Sequence, residues 1–264
     1  MDVNNEFGVL EMQKNLLVLI KVFDDFCTSN EIRYSLAAGS CIGAVRHKGF
    51  IPWDDDLDVF MDRINYEKFK VKITNSTILT FAESDMSSLW IPRVRVDDQL
   101  YRDGYKPTLD VFIMDNVPNS RIIAKLKYLG VLGCQGMIKK TLTFNKGNFI
   151  QKIASLITFL LGRCFTTKFK FKLYDRISKI GNSQKTPKVC WYNCVWKYIK
   201  YQFDFEIIER FERVPFETIE LPITCAYHHY LSVVYGDYMK MPKEINRIPK
   251  HITGKCDIDS EYLQ

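Results

Sequence analysis

Four carboxylates, a Gly-Ser pair and a basic run lie within one short stretch of the chain, Gly39 to Val59. The acids are Asp54, Asp55, Asp56 and Asp58, and Leu57-Asp58-Val59-Phe60-Met61 reads as a strand that carries them at its start. Side chains alternate across a strand, so Asp54, Asp56 and Asp58 are expected on one face, Asp55 and Leu57 on the other. Like charges on one buried face repel, and they are costly to desolvate unless a cation joins them. Mg2+ (or Mn2+) suits such a set, because Mg2+ takes oxygen ligands and keeps positions open for substrate phosphates. The chemistry implied is metal-dependent work on phosphate, with Asp56 and Asp58 as first ligands and Asp54 in reserve.

Other groups extend this set. Asp110 stands in the apolar run Leu109-Asp110-Val111-Phe112-Ile113, where a lone acid must meet a cation, a substrate hydroxyl or a buried Arg such as Arg95. Metal ligation with general-base help is its candidate role. Gly39-Ser40 precedes the acids by sixteen residues counted from Ser40 to Asp56. At a helix N-terminus its backbone N–H groups would hold donor phosphate. Arg46 offers a bidentate fork and Lys48 a point charge to the same phosphates. His47 reads as a phosphate contact or an ordinary loop residue, and Trp53 as a base-stacking or a core side chain. Asp237 follows Gly236 and suits either the site or a helix end. An acid cluster alone is usually a solvated loop; the ordering Gly-Ser, short helix, Asp-x-Asp strand argues against that here.

That ordering is used by the nucleotidyltransferase superfold, and residues 34–69 closely resemble the signature of the LicD family. The family includes phosphocholine transferases and fukutin-type phosphoribitol transferases. Leu109-Asp110-Val111-Phe112-Ile113-Met114-Asp115 resembles its F-I-D-I-F-P-L-D segment, and Tyr235-Gly236-Asp237-Tyr238-Met239-Lys240-Met241-Pro242 its Y-G-D-x-M-x-x-P. Departures are Ser40 where Thr is usual, Ile113 in place of proline, and Asp98-Gln99 where Asn-Thr is common. The resemblance implies an α/β (α+β) fold: a nucleotidyltransferase-like mixed sheet flanked by helices. It also implies transfer of a phospho-alcohol, phosphocholine first, from a CDP-linked donor to a sugar hydroxyl. The acceptor would be a cell-surface glycan such as lipopolysaccharide, teichoic acid or capsule, or a lipid-linked precursor. Ribitol-, glycerol- or ethanolamine-phosphate donors are alternatives. So are a true nucleotidyltransferase releasing pyrophosphate and, outside enzymes, a membrane-surface scaffold.

The elements that must position these groups follow from periodicity. Residues 7–29 read as an amphipathic helix (Phe7, Leu10, Leu17, Ile20, Phe23, Phe26) ending at Asn30. Strands are expected at 34–38, 57–61, 78–82, 89–96 and 109–113, a loop at 45–53 and a helix at 65–73. Helices are expected through 121–180 and at 187–199, 205–213 and 225–236. The expected organisation is a catalytic core at 1–120, a basic, mostly helical insert at 121–185 and a helical C-terminal region at 186–264.

Composition adds bounds. The chain has 264 residues, 47% hydrophobic and 26% charged, enough for a substantial core. Its start is polar and acidic, unlike a signal peptide. The eight cysteines lack zinc spacing, Cys190-x3-Cys194 included, and read as reduced thiols of a cytoplasmic protein. His228, His229 and His251 lack metal spacing as well. The net charge of +6 is unevenly spread: Asn116 to Tyr174 holds eleven Lys and Arg and no acid. No nucleic-acid partner is expected. Residues 149–165 are strongly apolar, but only ten residues separate Lys152 from Arg163, well short of the ~20 of a membrane span. A basic-flanked helix of this kind is expected at the surface of an anionic membrane, with Lys168, Lys170 and Lys172 assisting.

Overall fold

A computed structural model describes residues 8–82, 91–96, 107–142, 148–243 and 247–249. Phe7, Leu89, Trp90, Asp98, Gln99, His251 and Cys256 therefore lie outside the described residues. The chain forms two compact units. Among the described residues the first takes in those up to Ala82, Ile91–Met114 and those from Glu206 onward, and the second Asp115–Phe205.

The first unit opens with helix α1, Val9–Ser29, capped at Asn30. Its buried stripe is Val9, Met12, Leu16, Leu19, Ile20, Phe23 and Cys27, an i, i+3, i+4, i+7 pattern. Ile20 and Phe23 were legible as core; Leu10 is exposed, because the true stripe lies a residue or two round the helix. Strand β1 (Ser35–Leu36) leads into helix α2 (Ala38–His47), then β2 (Leu57–Asp62) and α3 (Arg63–Ile73). Asp62 starts α3, its side chain accepting from the Asn65 N–H. Strands β3 (Leu79–Ala82), β4 (Arg93–Val96) and β5 (Leu109–Asn116) complete a mixed sheet in the order β1-β2-β5-β4-β3. β2 and β5 are parallel, the other neighbours antiparallel.

The mixed sheet flanked by helices bears out the expected fold class, but two stretches correct the expected elements. The loop expected from Val45 is helical through His47, since Lys48 supplies the left-handed stop at φ 57. Residues 187–199 and 205–213 are not helices. The first holds strand β6 (Lys188–Trp191), with β7 (Phe203–Asp204) between the two, and the second a short 3-10 turn (Phe205–Ile208) and the start of a hairpin, β8 (Phe211–Phe216) with β9 (Ile219–Thr224). Alternating and β-branched apolar residues here favour extended chain over the helical period assumed. Helix α7, Tyr227–Tyr235, lies within the expected 225–236 and ends at Gly236, φ 68.

The hairpin ties the N-terminal part of this unit together. Thr224 N–H donates to Ser35 Oγ at 2.9 Å, and the Arg213 guanidinium pairs with Asp24 at 2.6 Å. Tyr34 OH donates to the same carboxylate at 2.8 Å, so Asp24 is a buried acid with two donors. In the second unit, helices α4 (Arg121–Ile138), α5 (Phe149–Arg163) and α6 (Thr167–Ser178) carry the basic stretch, as expected. There the buried Lys127 ammonium donates to the carbonyls of Asn116 and Ile180 and lies 4.0 Å from the centre of the Tyr192 ring.

Asp24→Ala leaves a buried phenol and a guanidinium without their acceptor. It is expected to lower stability by about 2–3 kcal/mol; urea unfolding checks it, and a loss under ~0.5 kcal/mol would remove Asp24 from the core argument.

Candidate active site

Asp58 and Asp110 are directly opposite one another across the parallel pair β2–β5. In a strand pair, residues in register project to the same face, so the two carboxyls are neighbours. Only Asp58 of the first acid group belongs to β2. Asp54, Asp55 and Asp56 precede it as irregular chain, so strand alternation does not set their directions. The convergence survives by another route. A Cβ on Gly39 would come within 2.6 Å of Asp54 Oδ2, so the bare Gly39 is what seats that carboxylate. Gln13 Nε2 holds the approach, donating to the carbonyls of Ile51 and Asp54 at 3.1 and 2.9 Å.

The Gly-Ser turn grips Asp58 through the backbone. Asp58 N–H donates to Ser40 Oγ and Ala37 N–H to Asp58 O, both at 2.9 Å. Ser40 is buried, and its hydroxyl serves the strand. Ala38 opens α2 at φ 44, a left-handed conformation costly for a residue with a side chain. Its N–H donates to the buried Tyr230 hydroxyl at 2.9 Å. The amides of Gly39 and Ser40 lie in the first turn, where the helix itself offers no acceptors.

Electrostatics make this the most charged point of the first unit's core. Asp58 keeps some solvent-accessible surface, yet burial of its carboxyl pushes it well above the usual carboxylate range; Asp56, Asp110 and Asp54 push it further. Arg93 acts in the opposite sense. Its Nε donates to Asp110 Oδ1 at 2.9 Å, the two residues being register partners across β4–β5. Asp110 thus pairs with Arg93, two positions before the Arg95 that the sequence offered as one example of such a partner. Both arginines share a face of β4, and Arg95 is in register with Thr80.

The basic residues are elsewhere on the same helix. Arg46 and His47 end α2 and Lys48 caps it. Six to nine residues at 1.5 Å each separate them from Gly39-Ser40, about 9–14 Å along the helix. Arg46 Nε donates to His47 Nε2 and its Nη1 to the Tyr238 carbonyl, both at 2.9 Å. Burial, then the Arg46 charge, lower His47 below its ordinary 6.5, consistent with a ring that accepts. Arg247 stands over the Trp53 ring at 5.6 Å and helps lower Arg46, after burial. Lys48 and Asp237 are exposed. The structure therefore gathers Asp54, Asp56, Asp58, Asp110, Gly39 and Ser40, and sets Arg46, His47 and Trp53 in a second group with Tyr238 and Arg247. Arg93, Tyr230 and Arg247 were missed: each acts through register or a distant segment that local spacing does not report.

The acid set fits a hard divalent cation by its chemistry, all oxygen donors and an excess of negative charge. It is not closed: among the described residues no group of three or more His, Cys, Asp or Glu is gathered tightly enough to hold a metal ion.

The chain resembles known proteins along most of its length. The family described as "LicD/FKTN/FKRP, nucleotidyltransferase domain" matches residues 31–121, which span α2, β2, β4 and β5. The chain is 32% identical to the lipopolysaccharide cholinephosphotransferase LicD of Haemophilus influenzae, over 92% of this chain and 97% of that protein. Uncharacterized proteins of Rickettsia typhi and Rickettsia prowazekii are 40% and 47% identical, over 20% and 17% of this chain and 18% and 17% of theirs.

Arg93→Met removes the guanidinium that faces Asp110 from β4. It is expected to cost about 3 kcal/mol, most of it recovered in the double variant Arg93→Met/Asp110→Asn. Urea unfolding of the four-member cycle measures this; no recovery would mean that Arg93 does not offset the acids' repulsion.

Proposed function

Because the chain belongs to the LicD family and is an enzyme of the LicD phosphotransferase type, we propose that it moves a phospho-alcohol, phosphocholine first, from a CDP-linked donor to a sugar hydroxyl. The acceptor in this reading is a cell-surface glycan or its lipid-linked precursor. The observation that carries it is the acid pair Asp58–Asp110 in register, with Asp54 and Asp56 beside it and the Gly-Ser helix start bound to the same strand.

In this reading Asp56, Asp58 and Asp110 hold Mg2+ or Mn2+, which supplies neutralisation of the donor diphosphate when bound. The amides of Gly39 and Ser40 bind donor phosphate at the α2 N-terminus. Arg46 and Lys48, at the far end of α2, serve the more distant part of the donor, and Trp53 and Asp237 border that end. Arg93 keeps the Asp110 carboxylate in place. The acceptor oxygen attacks the phosphorus nearest the alcohol and Asp110 takes its proton. A P–O bond to the sugar forms as the P–O bond to CMP breaks, in line. A cytoplasmic reaction goes with this reading, since the thiols of Cys27, Cys41, Cys134 and Cys190 are buried and such thiols are usual in reducing compartments.

Purified protein with divalent metal and a sugar acceptor should release CMP from CDP-choline faster than from CDP-ribitol, CDP-glycerol or CDP-ethanolamine. Pyrophosphate from a nucleoside triphosphate would instead identify a nucleotidyltransferase, and silence toward every donor would favour the scaffold.

Asp58→Asn is expected to lower turnover at least about a hundredfold, while thermal stability holds or rises as like-charge repulsion is relieved. Lys48→Ala should raise the donor KM more than it lowers kcat. Steady-state kinetics beside thermal melts check both, and a fully active Asp58→Asn would dismiss the acid site.

A further inference from the structure

Helix α5 is inverted relative to an ordinary surface helix. Such a helix buries its apolar stripe and shows its polar one. Here the small and polar side packs on α4. A Cβ on Gly136 would run into Thr158 Oγ1, one on Gly162 would run into the Met137 carbonyl, and Lys139 Nζ donates to Ser155 Oγ at 2.9 Å. The opposite stripe faces outward at helical spacing: Phe149 is 77% exposed, Ile150 76%, Ile153 41%, Ile157 51% and Leu160 55%. A contiguous apolar stripe of this size marks an interaction surface.

We infer that this face of α5 docks on an anionic lipid bilayer. Charge selects the occupant. The stretch from Asn116 to Tyr174 carries eleven Lys and Arg and no acid. A second copy would bring two such basic surfaces together, and a polyanionic glycan or nucleic acid offers nothing to Phe149 and Ile150. Anionic headgroups over acyl chains satisfy both halves of the surface at once. The helix has 15 residues, about 22 Å, against a hydrocarbon core of about 30 Å. No described helix is long and apolar enough to cross a membrane, so α5 lies in the headgroup plane.

Not every basic residue takes part. Lys170 Nζ donates to the carbonyls of Met137 and Gly162 at 3.3 and 3.1 Å, and thus caps the ends of α4 and α5. Arg163 Nη2 donates to the Lys140 carbonyl at 2.8 Å. Lys168 and Lys172 are exposed on α6. The inference stands on these helices alone and is independent of which donor the enzyme uses.

The test mixes the full chain, without donor or acceptor, with sedimenting vesicles of phosphatidylglycerol and phosphatidylcholine or of phosphatidylcholine alone, at low and high salt. Binding is expected to the anionic vesicles, weaker at high salt. Ile153→Gln/Ile157→Gln should lower partitioning about tenfold, and Lys168→Ala/Lys172→Ala about tenfold at low salt only. Both pairs are exposed, and unchanged urea midpoints establish that the variants fold. Wild-type protein left in the supernatant at low salt overturns the inference. So does vesicle binding indifferent to the isoleucine pair, or a dimer that the isoleucine pair dissociates in a protein that ignores vesicles.

Discussion

The first unit is organised around a repulsion. Asp58, half-buried beside its neighbours, has three further carboxylates acting on it and one guanidinium acting against them. Such a group destabilises any fold that does not restrain it. The restraints are visible one by one: β5 fixes Asp110 by register, Arg93 offsets it from β4, and the α2 turn bonds the backbone of Asp58 on both sides. Left-handed Ala38 is part of the same arrangement, strain held where the chain must turn from β1 into α2 against the acids.

Around that centre the loop from Lys48 to Asp54 is held from outside itself. Glu217, at the tip of the β8–β9 hairpin and itself at φ 52, accepts from Phe50 N–H at 2.9 Å, while its own N–H donates to the Lys48 carbonyl at 2.8 Å. Phe50 and Phe216 stack edge to face 4.8 Å apart. The loop that presents the acids is thus a clamped segment, with Gln13 below it and the hairpin beside it. Rigid support of this kind is what positions a catalytic constellation.

Much of this was legible in the residues. Asp-x-Asp entering an apolar run, a Gly-Ser pair before it and a lone acid in a second apolar run foretold β2, α2 and β5. Spacing alone did not carry the seat of Asp54, because it is set by Gly39 and Gln13 and not by strand alternation. A buried arginine as an alternative partner for Asp110 was legible as well, and the β4–β5 register sets Arg93 opposite it. The C-terminal strands were misjudged because short apolar runs look alike at helical and strand period. Basic residues after Val45 read as loop because the helix stop is a lysine at positive φ, where glycine or asparagine is the usual sign.

One feature bears on how the protein is made. The bonds that hold the α2 turn and the strand before it join segments far apart in sequence: Tyr230 to Ala38 and Tyr238 to Arg46 are each 192 residues apart, Thr224 to Ser35 and Arg213 to Asp24 each 189. A ribosome delivers the N-terminal third first, and contacts of such separation form late. The acidic strand therefore emerges without its clasp and waits through the synthesis of the entire basic helical segment. Until Tyr238 leaves the exit tunnel, the helix that starts at Ala38 and ends by Arg46 lacks its last two partners, and keeping it from other company falls to the cell.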